Sequence, residues 1–250
     1  MATVDSFFVT RTLQAIEVLA FQPSSAPQVA EALRVDARTA RRLLNRLADD
    51  GWVVRIEGRV RTYTLSLRLV ALASQFVERA PLARAATSVV RDLHERTGGV
   101  AHVTVPSYRS VLCLAHGAAD CRSKPLAGDL MPAHATAAGK ILLAHREPWR
   151  ESVLERPLER VTERTVVDPD VLRRQCAAAL EQGFAFEDGE SGDGRQSVAA
   201  PVPVASGAVM AAVALAGPAE LDLASHADAV VDAADELAAK LAETDIAHAA

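Results

Sequence analysis

The chain has 250 residues, half of them hydrophobic and 24% charged, with a formal net charge of −5. That length suits one large domain or two smaller ones, and no apolar run reaches the roughly 18–20 residues of a membrane span. The opening MATVDSFFVTRTLQ lacks the basic and apolar regions of a secretory signal, so a cytoplasmic location and no membrane partner are expected.

The charge is unevenly placed. Residues 1–79 hold 11 Arg against 8 Asp or Glu, whereas residues 80–250 hold 16 basic against 24 acidic groups. A mildly basic head on an acidic body restricts any polyanion partner to the first part. The three cysteines, Cys113, Cys121 and Cys176, cannot all pair within one chain and imply no disulfide framework.

In chain order, Leu13, Ile16, Leu19 and Ala20 recur at helical spacing and predict a first helix over 10–21. QPSS breaks it. Ser25 with Gln28 three residues later is a capping-box pattern opening a short second helix over 26–33. Asp36 can cap a third helix, which Gly51 ends. At about 100° per residue, Ala37, Ala40, Leu43, Leu44 and Leu47 share one side of that helix. Arg38, Arg41, Arg42 and Asn45 share the other, with Thr39 and Arg46 at its edges. Guanidinium groups fork onto phosphate or onto the two acceptors of guanine, and Asn can read a base.

WVVRIEGRVRTYTL then holds two strand-forming runs around Glu57-Gly58, a hairpin turn, with Arg55, Arg59 and Arg61 on or near it. Helix, capped helix, turn, Arg-rich helix and basic hairpin in this order make a winged helix-turn-helix. Its third helix would enter the major groove of double-stranded DNA while the wing touches backbone or minor groove. A module that uses the same winged surface for protein contacts, in a sensory or oligomerisation protein, is the rival reading. LSLRLVALASQFVERAP places Leu65, Leu69, Leu72 and Phe76 on one stripe, a linker helix that Pro81 stops.

Beyond it the pattern changes. Leu82 to Leu93 predict a helix closing at Gly98-Gly99; VAHVTV and SVLCLA predict strands around PSYR. A short strand can precede GDLMPAHATAAGKILLAH, whose second half is a helix from near Ala133. VDPDVLRRQCAAALEQG has an Asp cap, a Pro at the first helical position and a closing Gly. FAFED, QSVAAPVPV and AVMAAVALAG predict strands, GESGDGR a loop, and the alanine-rich end from about His226 a final helix. Adjacent strands joined by short turns and flanked by helices imply an α+β class with an antiparallel sheet.

RTLQAIEVLA, RRLLNRLADDGWVVR, YTLSLRLVALA, MPAHATAAGKILLA and SVAAPV…AVALAGP together resemble IclR-family transcriptional regulators in order and spacing, across essentially the whole chain. PAHATAAGK before LLA is the most specific element. The resemblance implies a winged helix-turn-helix over 1–65, a linker helix over 66–80, and a GAF-like effector-binding and oligomerisation domain over 81–250. It also implies a homodimer or dimer of dimers on a palindromic operator, no cofactor, and Arg42 at the usual arginine position of the third helix. The effector pocket implied by the family would be lined by Gly128, Leu130, Met131, Glu187, Ser197, Ala214 and Ala216. Members that bind small oxo-acids commonly carry Asp near Glu187, Cys at Ser197, and Ser at both Ala214 and Ala216. Losing those hydroxyls points to an effector larger or less polar than glyoxylate or pyruvate, an aromatic or hydroxy acid.

Other chemistries fit less well. Gly139-Lys140 lacks the Gly a phosphate loop needs five residues before Gly139, where His134 stands as a helix-start residue. Cys113, His116 and Cys121, with His102 nearby, match no closed zinc signature. Ser197 is in no G-x-S-x-G elbow, and no paired His and carboxylate motif accompanies it, so an enzyme is not expected.

Overall fold

The computed structural model describes residues 3–117 and 128–243, which divide into two compact units, Met1–Arg79 and Ala80–Ala250. The first unit holds α1 (Thr3–Phe21), β1 (Ser24–Ser25), α2 (Ala26–Leu33), α3 (Ala37–Asp49), β2 (Val53–Ile56), β3 (Thr62–Leu65) and α4 (Leu67–Arg79). Each start and stop has a local cause. The Ser25 amide donates to Gln28 Oε1 at 2.8 Å across the start of α2. Arg34 leaves α2 in the left-handed region at φ 53°. Asp36 caps α3 by accepting from the Thr39 amide at 2.8 Å. Gly51 then turns the chain at φ +78°, where a side chain would be strained.

Ala15, Leu19, Val29, Leu33, Ala40, Leu43, Leu44, Leu47, Val53 and Tyr63 form the core of this unit. The α3 leucines fall where helical spacing put them; Ala37, at the helix start, is exposed. In α1 the buried stripe runs through Ala15 and Leu19, and Leu13 and Ala20 are exposed, because the helix seats on its neighbours through the face that carries Ala15 and Leu19, and Leu13 and Ala20 fall away from it. Two further expectations change. Glu57-Gly58 is no two-residue turn: residues 57–61 form a longer loop carrying Arg59 and Arg61. Leu65 belongs to β3, paired with Val53, and not to the linker stripe. A third strand, β1, joins the hairpin edge in the order β1-β3-β2. At the start of α4, Arg68 stacks on Trp52 at 4.1 Å and donates to the Asp50 carbonyl at 3.0 Å.

The second unit follows as α5 (Pro81–Thr97), β4 (Val100–Ser107), β5 (Ser110–His116), β6 (Leu130–Pro132), a 3-10 turn (Ala133–Ala135), α6 (Ala137–His145), α7 (Glu147–Leu154), α8 (Pro169–Gln182), β7 (Ala185–Asp188), β8 (Arg195–Pro203), β9 (Val209–Pro218) and α9 (Ala227–Glu243). The class is α+β. One antiparallel six-stranded sheet, ordered β6-β5-β4-β9-β8-β7, carries a core on each face. Val103, Val198, Ala200, Val213 and Leu215 pack with Val90 and Leu93 of α5 and Leu237 of α9. Val111, Ala199, Ala212 and Ala214 pack with Ile141 and Leu142 of α6 and Leu172 and Cys176 of α8. This split obeys strand alternation, successive residues pointing to opposite faces. Pro169, Asp168 and the closing Gly183 punctuate α8 as the sequence reads, whereas α7 carries no signal recognised there.

Candidate functional site

The exposed face of α3 presents Arg38, Arg41 and Arg42, none of which has an ion-pair partner among the described residues. With Thr39, Asn45, Arg46 and Asp49 they line an open groove of about 550 Å³. Three exposed guanidinium groups within five residues can fork onto phosphate or base acceptors at little desolvation cost. The edges of the face are already engaged. The Thr39 hydroxyl donates to Asp36 Oδ2 at 2.7 Å, which with the amide bond holds the Asp36 carboxyl below its usual range. Arg46 Nε reaches Asp50 at 3.3 Å.

Asn45 already has partners within the unit. It is half-buried, and its side-chain oxygen accepts from the Tyr63 hydroxyl at 3.1 Å and from Arg55 Nε at 3.4 Å. Arg55 also donates to the Asn45 carbonyl at 3.0 Å and pairs with Asp49. Asn45 and Arg55 therefore brace the hairpin against α3. Only a buried tyrosine 18 residues on in β3, which periodicity does not link to α3, makes this visible. In the wing loop, Arg61 pairs with Glu57 at 3.0 Å and Arg59 is exposed.

In the second unit, strand register sets Glu187, Ser197 and Ala216 in one row across β7, β8 and β9; Ala214 lies opposite Ala199 and His102. All four are buried. Gly128, Leu130 and Met131 lie at the other edge of the sheet, where Leu130 is exposed and Met131 half-buried beside β5. Glu187 is committed internally. Its Oε1 accepts from the hydroxyls of Ser191 at 2.9 Å and Ser197 at 3.0 Å, and its Oε2 accepts from the amides of Glu190 at 2.9 Å and Ser191 at 3.4 Å. Burial pushes its carboxyl above the usual range, and these bonds pull it back. Glu187 thus shapes the loop over 189–194, and Ser197 supports it.

Beside this row sits a pair that the sequence reading missed. Lys140 of α6 is buried against Glu190, whose other oxygen accepts from the Val166 amide at 3.3 Å. The Thr165 hydroxyl adds a bond to the Glu190 carbonyl at 2.8 Å. A lysine inside ILLA-type apolar surroundings is the one signal that could have raised it. The PAHATAAGK segment is locally fixed as well. Thr136 caps α6 through the Gly139 amide at 3.0 Å, and a Cβ on Gly139 would fall 1.9 Å from the Ala133 carbonyl oxygen. The His134 ring bonds the Glu159 carbonyl through Nε2 at 2.7 Å.

Cys113 is buried in β5 with its thiol pushed up to about 12 by burial, and Cys121 lies outside the described residues. Among the described residues, no three His, Cys, Asp or Glu side chains gather as a metal site, and no helix is long and apolar enough to cross a membrane.

Residues 74–243 match the family described as bacterial transcriptional regulator IclR, C-terminal. The chain is 28% identical over 236 residues to the HTH-type transcriptional regulator BhcR of Paracoccus denitrificans, covering 91% of this chain and 84% of that protein. It is 28% identical over 221 residues to the Pca regulon regulatory protein of Pseudomonas putida, covering 84% and 75%. An IclR homologue of Microbacterium hydrocarbonoxydans, solved with 4-hydroxybenzoate, superposes with a TM-score of 0.78 at 25% identity, covering 94% of this chain and 98% of the other.

Proposed function

Because the chain belongs to the IclR family of bacterial transcriptional regulators, whose members named above are regulators and not enzymes, we propose that it binds operator DNA under the control of a small-molecule effector. The observation that carries this reading is the unpaired arginine triplet Arg38, Arg41 and Arg42 on the outer face of a capped, well-seated α3. In this reading residues 1–65 form the DNA head, with Arg38, Arg41 and Arg42 in the major groove and Arg59 and Arg61 on the backbone or minor groove. Thr39, Asn45 and Arg55 hold these groups in place. Residues 66–80 link the head to the effector-binding and oligomerisation domain over 81–250.

The protein acts in the cytoplasm as a homodimer or dimer of dimers on a palindromic operator. Val9 and Leu13 on α1, and Leu67, Val70 and Leu72 on α4, are exposed apolar side chains of the kind a second copy would cover. Effector binding shifts the relative placement of two DNA heads and so changes operator affinity. The effector is an organic acid larger or less polar than pyruvate. Ala214 and Ala216 offer no hydroxyl, Ser197 donates its own to the Glu187 carboxylate, and a structural relative was solved with an aromatic hydroxy acid.

Fluorescence anisotropy on DNA from the flanking intergenic region tests the reading. Binding should weaken steeply with rising salt as counterions are released. A flat response, or no binding, would favour a module that contacts protein instead. Tight calorimetric binding of pyruvate would overturn the effector assignment alone.

A further inference from the structure

The face of the sheet that packs on α6 carries polar groups that the row Glu187–Ser197–Ala216 does not use. By alternation from Ala212 and Ala214, which pack with α6, their cross-strand partners on β4, Thr104 and His102, project to the same face. α6 packs mainly over β8 and β9, so the β4–β5 part of that face lies beside the helix. Both residues are at least nine-tenths buried, Thr104 at 0% and His102 at 4% exposure.

The Thr104 hydroxyl has no hydrogen-bond partner among the described residues, and neither has the buried Nδ1 of His116, which stands opposite His102 on β5. Two orphaned polar atoms on paired strands are costly, and native interiors pair such groups. His102 is constrained differently. Its Nδ1 donates to the Val100 carbonyl at 3.2 Å, so in the neutral ring Nε2 is left as a bare acceptor. Burial keeps the ring neutral, its pKa pushed down to about 4.

Building on the effector-domain reading above, we propose that Thr104, with His102, binds a hydroxyl group of the effector. A lone-pair nitrogen and a threonine hydroxyl match an O–H, which donates to one and accepts from the other; a carboxylate would face the bare imidazole lone pair unfavourably. The acid end of such a ligand therefore lies elsewhere. Ala212 and Ala214, which stand opposite the pair on β9, are small side chains packed under α6 and supply no polar partner to either residue. Hydrogen-bonding capacity absent at Ala214 is thus supplied one strand over, by its direct partner His102.

Calorimetry on the full chain with two matched pairs, 4-hydroxybenzoate against benzoate and 4-hydroxyphenylacetate against phenylacetate, tests this. At least one hydroxylated member should bind, and removing its hydroxyl should weaken binding about tenfold to a hundredfold. Thr104→Val, which deletes an unpaired group and should fold normally, abolishes that preference; Thr104→Ser retains it. Equal binding of both members of each pair, a preference that survives in Thr104→Val, or no binding by either hydroxylated acid overturns the assignment. If the unhydroxylated acids bind as tightly as their hydroxylated partners and shift operator affinity, the hydroxyl site falls and the effector domain stands. The effector domain itself falls only if a wider set of organic acids, pyruvate included, leaves both melting temperature and operator affinity unchanged.

Discussion

The two units of this protein differ in where their notable charged groups stand. The N-terminal unit displays its charges: Arg38, Arg41, Arg42 and Arg59 stand in solvent, and its ion pairs Arg46–Asp50 and Arg61–Glu57 are exposed. The C-terminal unit has exposed pairs too, such as Arg164–Asp188, but it also buries polar groups in its interior: Lys140 with Glu190, Glu187 with Ser191 and Ser197, and His102 and Thr104 on the sheet. Exposed charge is free to meet a polyanion and contributes little to stability. Buried polar groups are costly unless paired, so they hold the structure together or await a ligand.

The sharpest test of this contrast is Lys140→Ala. It leaves Glu190 buried without its cation and should cost about 3–5 kcal/mol in urea denaturation. A double variant, Lys140→Met with Glu190→Leu, should recover much of the loss, since apolar replacement removes both desolvation costs. A loss below 1 kcal/mol for Lys140→Ala would show that the pair is effectively solvated.

Next in size is the pH response of His102. Its folded pKa of about 4 lies below the ordinary 6.5, so on acidification the unfolded chain takes up the proton first. The stability from keeping the ring neutral is complete above about pH 6.5 and is lost as pH falls towards 4, up to about 3 kcal/mol. Urea melts at pH 7.5 and 4.5 should show that fall, and it should be smaller in His102→Phe, where His134 and His145, also held low by burial, still respond to acid. An identical slope in both proteins would place the acid-sensitive group elsewhere.

On the exposed side the effects move from stability to binding. Arg41→Ala or Arg42→Ala should cost about 1–3 kcal/mol of operator affinity where the side chain reads a base, with the melting temperature unchanged. Unchanged affinity in both would remove α3 from the interface. Arg46→Ala, which loses only a surface pair, should change stability by no more than about 0.5 kcal/mol; a larger change would erase the distinction between the units.

Much of the N-terminal architecture could be read in advance because its signals are local. Ser25 with Gln28, Asp36 with Thr39, and the leucine face of α3 all act within one or two turns, and each appears where spacing put it. The wing loop is longer than the Glu57-Gly58 pair suggests: Gly58 is not at positive φ and forms no tight primed turn, so β3 begins only at Thr62. In the second unit the strands and the punctuation of α8 were legible for the same local reasons. The sharing of one face by His102 and Ala214, or the meeting of Lys140 with Glu190 50 residues away, was not.

The sequence by itself determined which faces are apolar, where helices start and stop, and which arginines remain outside, because side-chain periodicity and capping are short-range. Only the tertiary structure decided which polar groups are already satisfied. Asn45 braces the hairpin because Tyr63 and Arg55 reach it, and Glu187 anchors a loop because Ser191 and Ser197 do. Pairing of buried groups depends on strands brought together by sheet register, and register is fixed by the collapse of the whole unit and not by any one segment.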